Sequence, residues 1–352
     1  MVLSKKERVL RTLELDGEPD MVPIFNMGFE PTGKAFLDFQ SSKEKSKYDG
    51  FVKSKISKMK YYITEQRFWN VDAHYMDPWG PNKVKARIRK APEDVEEPNC
   101  RLDTLTGRLH KNVEQVETNL SYSWYIDGYF TTPEKLYSSW ERYGRPTELI
   151  NDRINYSPKI WEDFVDVLSP YFYPFAMLPM SPHESLFEGI TIPKVAYYMR
   201  KKPEFIHDVV SEYANANIEI VKRFAEAGVE VAWMFDDLGY KGQTIFSLKN
   251  LREFLLPYYK KIYQACHKQG ILIVQHSCGK IDEFLPDMVS AGLNGIQALE
   301  PAAGVDLAHL KETLGDQVCL IGGLDSSRVL NFGTPKEVEE EVKRGISVAA
   351  HG

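Results

Sequence analysis

The sequence predicts an α/β fold, a (β/α)8 barrel of the TIM type carrying a β-hairpin insertion. Three observations lead there. From Val229 onward, short apolar runs alternate with helical stretches, as parallel strands joined by helical crossovers require. Polar residues stand where the apolar runs end, the place where a barrel keeps its reactive groups. The fingerprints of open nucleotide-binding sheets, G-x-G-x-x-G after a first strand and G-x-x-x-x-G-K-[ST], are absent.

Taken in order, MVPIFNMGF (21–29), VDAHYMDPWG (71–80) and YFYPFAMLP (171–179) are the candidate early strands. Residues 82–125 break the rhythm. VKARIRKAPED, DTLTGRLHK and QVETNLSYSWY alternate by twos around turn signals, and read as a β-hairpin inserted between the second barrel strand and its helix. EFIHDVVSEYANANIEIVKRFAEAG is a long amphipathic helix leading into the strand VEVAWMFDD. SLKNLREFLLPYYKKIYQACHKQG reads as one helix, with Leu251, Phe254, Leu255, Tyr258 and Ile262 at helical spacing and Gly270 as its stop. ILIVQHSCG, NGIQALEP and VCLIGGLD are further strands, separated by the helical IDEFLPDMVSAG and DLAHLKETLG and followed by TPKEVEEEVKRGI. No short-period repeat or low-complexity tract occurs, so residues 1–352 read as one barrel domain.

The formal net charge of −6 argues against a nucleic-acid partner. No apolar run is long enough to span a membrane, and the charged start MVLSKKERVLRTLELDGEPD is no signal peptide. Four cysteines, Cys100, Cys266, Cys278 and Cys319, are too sparse for a disulfide scaffold, so a reduced, cytoplasmic setting is expected.

The strongest chemical feature is His276 and Cys278. With one residue between them on a strand, both side chains point to one side of the sheet, and Gly279 follows where the backbone turns. Thiolate and imidazole suit zinc; the alternative is a buried thiol beside a hydrogen-bonded imidazole with no metal. Asp236 and Asp237 are adjacent on a strand end and cannot both enter the pocket. One caps the following loop, and the other orients a ligand or His276. Asn26, Asp77, Glu300 and Asp325 also close strands, Asp325 more as the cap of the next helix than as a catalytic group. Cys319 reads as a buried strand residue, and Cys266 and Cys100 as structural. Phe25, Met27, Phe29, Trp79, Tyr173 and Phe175 gather at early strands, where aromatics are core or pocket wall.

At this point SKKERVLRTLELDGEPDMVPI, DDLGYKGQTIFSLKNLREFLLPYYKKI, VQHSCGKIDEFLPDMVSAGLNGIQALEP and IGGLDSSRVLNFGTPKEVEEEVKRGI together resemble the uroporphyrinogen decarboxylase superfamily, most strongly from Val229 to Ile346. HSCG is similar to the branch that moves methyl groups to or from corrinoid proteins. That branch carries a zinc site of the form His-x-Cys followed by a distant Cys. The resemblance therefore implies His276 and Cys278 as zinc ligands, with a third ligand beyond Gly352. It also implies that a final strand and helix are missing from the sequence, which would leave a sheet edge exposed. Glu184, in SPHESLFEG, matches a family glutamate near the barrel mouth and is implied as a ligand or base. By itself it reads equally as a carboxylate at a helix N-terminus. The decarboxylases carry an R-Q-A-G-R-Y loop after the first strand. Here FNMGFEPTGKAFL has no arginine, so a tetrapyrrole octacarboxylate would be poorly held.

The resulting expectation is a methyltransferase that moves a methyl group from a small donor, a methoxylated aromatic, to the cobalt of a corrinoid protein, with zinc as Lewis acid. Asp236, Asp237 and Glu184 are the catalytic candidates. Asn26, Phe29, Trp79 and Tyr173 are the substrate-binding ones. The partners are the corrinoid protein and the donor, with a homodimer left open. The alternatives are a decarboxylase of the uroporphyrinogen type and a metal-free, ligand-binding relative.

Overall fold

A computed structural model describes residues 2–27, 69–77, 88–115, 120–153 and 157–351. At its centre is a curled parallel sheet of six strands in the order β1 (Ala73–Met76), β6 (Tyr173–Met177), β7 (Val231–Phe235), β10 (Leu272–Ser277), β11 (Gly295–Ala298) and β12 (Cys319–Gly322). Phe25 forms a parallel bridge to Ala73 and extends the order by the segment that ends at Asn26. Neighbours across the sheet follow one another along the chain with helices between them, the winding expected of a barrel.

Alternation within each strand sorts the side chains into two layers. On β7, Val231 and Trp233 turn inward with Phe175 of β6 and Val274 of β10, while Phe25, Met177 and Phe235 pack against them. Ala232, Met234, Ile273 and Ile296 turn outward into the layer under the helices. Trp233 is fully buried and stacks on Phe25 with ring centroids 4.8 Å apart, so the lower barrel is a packed aromatic core.

The floor is closed by the helix Lys5–Leu13, which Ser4 and Glu7 start with a reciprocal capping box. Its Val9 and Leu13 join the inner cluster. Arg8 fixes the helix by pairing with Asp72 at 2.5 Å and Asp20 at 2.8 Å. Asp72 also accepts the Ile24 N–H at 2.8 Å. Burying one guanidinium is tolerable because two carboxylates meet it.

Three elements differ from the sequence reading. The segment after β1 is a four-stranded antiparallel sheet, β2 (Ile88–Lys90), β3 (Arg101–Asp103), β4 (Arg108–Gln115) and β5 (Leu120–Gly128), larger than one hairpin. Its first two strands have three residues each, too few to show a period. The stretch read as one helix from Ser247 to Gly270 is two, Leu248–Phe254 and Leu256–Lys268. Pro257 cannot donate an N–H to the preceding turn and restarts the helix. After β10, the helix runs only over Leu285–Ala291, with Pro286 in its first turn. No helix among the described residues is long and apolar enough to cross a membrane.

Candidate metal centre

The loops that follow β7 and β10 meet backbone to backbone. Gly239 N–H donates to the Cys278 carbonyl at 3.2 Å, and Lys280 N–H to the Tyr240 carbonyl at 3.0 Å. A Cβ on Gly279 would lie 2.2 Å from the Gly239 carbonyl carbon, and Gly279 has φ +81°. Only glycine combines that backbone with that approach. The contact carries Asp237, at the end of β7, up to His276 and Cys278 at the end of β10.

There three donor atoms converge. Asp237 Oδ1 lies 3.2 Å from His276 Nε2, and Cys278 Sγ lies 3.4 Å from the same nitrogen. One ligand atom from each of Asp237, His276 and Cys278 falls within a 4.8 Å set. The Cys278 N–H donates to Asp237 Oδ1 at 2.8 Å and holds the carboxylate in place. On the far side of the imidazole, Nδ1 donates to Gln297 Oε1 at 2.5 Å, which leaves Nε2 facing the thiol and the carboxylate. Gln297 is in register with His276 on the neighbouring strand. A hydrogen bond of this kind to the second ring nitrogen fixes ring orientation and tautomer at metal sites.

The electrostatics of the cluster invite a cation. Burial lowers the His276 pKa, but hydrogen bonds to Asp237 and Gln297 outweigh it and raise the group above its ordinary value. Asp237 is lowered, its burial overcome by His276 and the Cys278 amide. Burial first, and then Asp237 and Glu300, push the Cys278 thiol up to about 12. One imidazole, one thiol and one carboxylate at the end of a barrel fit zinc. The sequence reading looked beyond Gly352 for a third ligand; among the described residues Asp237 offers one.

Asp236 turns the other way and is fully buried. Its carboxyl accepts the backbone N–H groups of His183 and Glu184 at 2.9 and 2.7 Å and the Tyr259 hydroxyl at 2.5 Å. Those amides open the helix Pro182–Ile190, whose N-cap residue Ser181 makes no side-chain cap. Asp236 supplies that cap from another strand. Burial pushes its carboxyl up to about 8, against the pull of Tyr259 and the two amides.

The same helix end presents Glu184 toward the cluster. Burial, with Glu188 and Asp237 adding repulsion, pushes Glu184 up to about 7. His183, fully buried, has Nδ1 2.6 Å from the Asp237 carbonyl oxygen. Desolvation lowers its pKa to about 4, so it stays neutral.

Other candidates go elsewhere. Asn26 is buried at the end of the first strand, and its carbonyl lies 2.6 Å from His74 Nδ1. Tyr173 begins β6 and donates its hydroxyl to Glu230 at 2.9 Å. The register of β6 on β7 and of β7 on β10 puts it about six residues, roughly 20 Å, below His276, at the floor and away from the cluster. Phe29 and Trp79 lie outside the described residues. Asp325 caps the turn after β12 through the N–H groups of Ser327 and Arg328. Cys100, Cys266 and Cys319 are buried free thiols. Glu300 accepts the Gly279 N–H at 2.8 Å. A cleft of about 570 Å³ opens beside the cluster, lined by Tyr240, Lys241, Cys278, Glu300, Ser327 and Arg328 among others. Gln297, Lys241 and Arg328 were not singled out from sequence. For Gln297 the signal was a polar residue inside a short apolar strand.

The profile of the family "Uroporphyrinogen decarboxylase (URO-D)" matches residues 175–352. A uroporphyrinogen decarboxylase of Chlorobium phaeovibrioides is 29% identical over 153 residues, 42% of this chain and 37% of that protein. The methylcobamide:CoM methyltransferase MtbA of Methanosarcina acetivorans is 32% identical over 96 residues, 27% of each chain. The chain thus matches well under half the length of these curated relatives. Among solved structures, a methyltransferase from Methanosarcina mazei superposes with a TM-score of 0.60 at 14% identity, over 98% of this chain and 90% of that one, a likeness of fold.

Proposed function

This chain belongs to the uroporphyrinogen decarboxylase (URO-D) family, and from that premise we propose that it is a zinc-dependent methyltransferase working with a corrinoid protein. The convergence of Asp237, His276 and Cys278 at the C-terminal ends of two adjacent barrel strands carries the reading. The likeness to methylcobamide:CoM methyltransferases supports it.

Asp237, His276 and Cys278 are the residues that would hold the ion. When bound, zinc supplies Lewis acidity toward the oxygen of a methyl ether or alcohol, or keeps a thiol as its thiolate. Gln297 keeps the imidazole turned so that Nε2 faces the cluster. Glu184 changes protonation near neutrality and so gives or takes a proton at the reacting heteroatom. The cleft beside Cys278 is open to solvent at the strand ends, as access for a cofactor carried by another protein demands. The donor is a small methylated compound, with a methoxylated aromatic as first choice, and cytoplasmic placement follows from the reduced thiols the site needs.

The test has two parts. Purified protein should hold close to one zinc per chain, lost in His276→Ala and in Cys278→Ser. Zinc-loaded protein should form methylcobalamin from cob(I)alamin with at least one of methoxyarenes, methanol, methylamines and methylated thiols. Zinc without any methyl transfer, together with decarboxylation of uroporphyrinogen, would replace this reading with the decarboxylase. Absence of zinc in the parent protein would leave the metal-free relative.

A further inference from the structure

The two strands that carry the cluster are also joined from behind. Asp237 and His276 turn into the barrel, and their chain neighbours Asp236 and Gln275 turn outward under the helices, where both are fully buried. One helix reaches both. Tyr259 and Tyr263 stand one turn apart on the helix Leu256–Lys268, fully buried, with their rings stacked at 6.1 Å between centroids. Tyr259 donates its hydroxyl to Asp236 at 2.5 Å, and Tyr263 donates its own to Gln275 Oε1 at 2.5 Å.

These bonds fall where the sheet ladder runs out. Register pairs His276 with Phe235, the last residue of β7, and the closing bond runs from the Asp236 N–H to the His276 carbonyl at 3.0 Å. Beyond it the chain leaves the sheet for a hairpin, β8 (Gly239–Tyr240) and β9 (Gln243–Thr244). The spacing of Asp237 from His276 is thus set at a strand end. The two tyrosines also fit the offset they bridge. By register Asp236 stands two residues further along the sheet than Gln275, roughly 7 Å. Four residues of helix rise about 6 Å. Burying two hydroxyls, a carboxyl and an amide is tolerable only when each has a partner; what the polar pairs add over apolar packing is direction.

We infer that Tyr259 and Tyr263 are positioning residues of the cluster, a two-point brace that fixes the span from Asp237 to His276 by holding the chain neighbour of each. Neither hydroxyl touches a donor atom of the cluster; both act through Asp236 and Gln275. The consequence for zinc rests on the proposed function, whereas the brace is a property of the metal-free chain.

Removing both partners of one bond separates positioning from stability. The Tyr263→Phe, Gln275→Met double variant leaves neither partner buried without the other and should keep stability near that of the parent. In the full chain, stripped of metal by a chelator, amide exchange is read by peptide mass spectrometry. It should quicken about tenfold in the peptides holding Asp236 and Cys278, whose N–H groups bond across the two strands, and stay unchanged in β1. Zinc affinity, by competition with a chromophoric chelator, should fall about tenfold, and the visible absorption of bound cobalt(II) should shift. Tyr259→Phe should do the same at a cost in stability. A brace needs both ends, so Tyr259→Phe and Tyr263→Phe together should weaken zinc little beyond the worse single change; additive losses would refute the brace. Unchanged exchange in the stripped Tyr263→Phe, Gln275→Met variant overturns the inference. So does an equal quickening throughout the chain, which assigns the tyrosines to stability alone. A parent chain that takes up no zinc ends the proposed function, and the exchange measurement then decides the brace by itself.

Discussion

Asp236 and Asp237 are joined by one peptide bond and work on opposite faces of the sheet. On the helix side, Asp236 takes the Tyr259 hydroxyl at 2.5 Å and the two amides that open the helix Pro182–Ile190. On the barrel side, Asp237 Oδ1 stands 3.2 Å from His276 Nε2. Strand geometry forces the division, since successive side chains point to opposite faces.

The two residues should therefore fail differently on substitution. Asp236→Ala leaves two buried amides and a buried hydroxyl without an acceptor, and should cost about 3 kcal/mol or more in stability. Asp237→Ala, on a half-buried side chain, should cost far less stability and should lose zinc affinity. Urea unfolding and a zinc competition titration on each variant separate the two effects. Equal losses of stability would refute the assignment.

Gln297 acts on the site through His276. Gln297→Leu keeps the volume and removes the acceptor of the Nδ1 proton, and should weaken zinc binding by about 10- to 100-fold. Gln297→Glu, which retains an acceptor, should restore most of it. Competition against a chromophoric chelator reads both.

Glu184 makes stability depend on pH. Its folded pKa of about 7 is raised by burial and by Glu188 and Asp237, whereas in the unfolded chain it is an ordinary carboxyl. The folded state then keeps a proton that the unfolded state releases. Stability from this group is whole below the unfolded value and is lost as pH rises to about 7, to a total of about 3 kcal/mol. Glu184→Gln should gain stability over the parent across that window and stay level above it. A difference that is flat with pH would refute the shift.

Gly279→Ala tests the contact that assembles the cluster. The new Cβ would stand 2.2 Å from the Gly239 carbonyl carbon on a backbone at φ +81°. The variant should lose about 1–3 kcal/mol from the backbone conformation alone. It should also lose zinc, because Asp237 is drawn away from His276 as the loops part. Retention of full zinc affinity would show that the two loops need not touch.

Much of the architecture was legible in the chain. The runs VEVAWMFDD, ILIVQHSCG, NGIQALEP and VCLIGGLD each contain a strand of the parallel sheet, because short apolar runs between helices have few other ways to bury themselves. The helix break at Pro257 was also available in the residues, though the unbroken apolar spacing around it hid the effect. The sheet of β2 to β5 was underread because two of its strands have three residues each, too few to carry a period.

The sequence by itself determined that His276 and Cys278 share a face at the end of a strand, and that only one of Asp236 and Asp237 can join them. Both follow from the two-residue period of a strand, a local property. Which aspartate it is, that Gln297 lies beside His276, and that Tyr173 belongs to the floor were decided by tertiary structure. These depend on register between strands and on which way the sheet curls. The packing of Trp233, Phe25 and Phe175 inside, and of helices outside, sets both. That Lys241 and Arg328 line one cleft was likewise invisible in the chain, where they stand 87 residues apart and only the folding of two loops toward one opening brings them together.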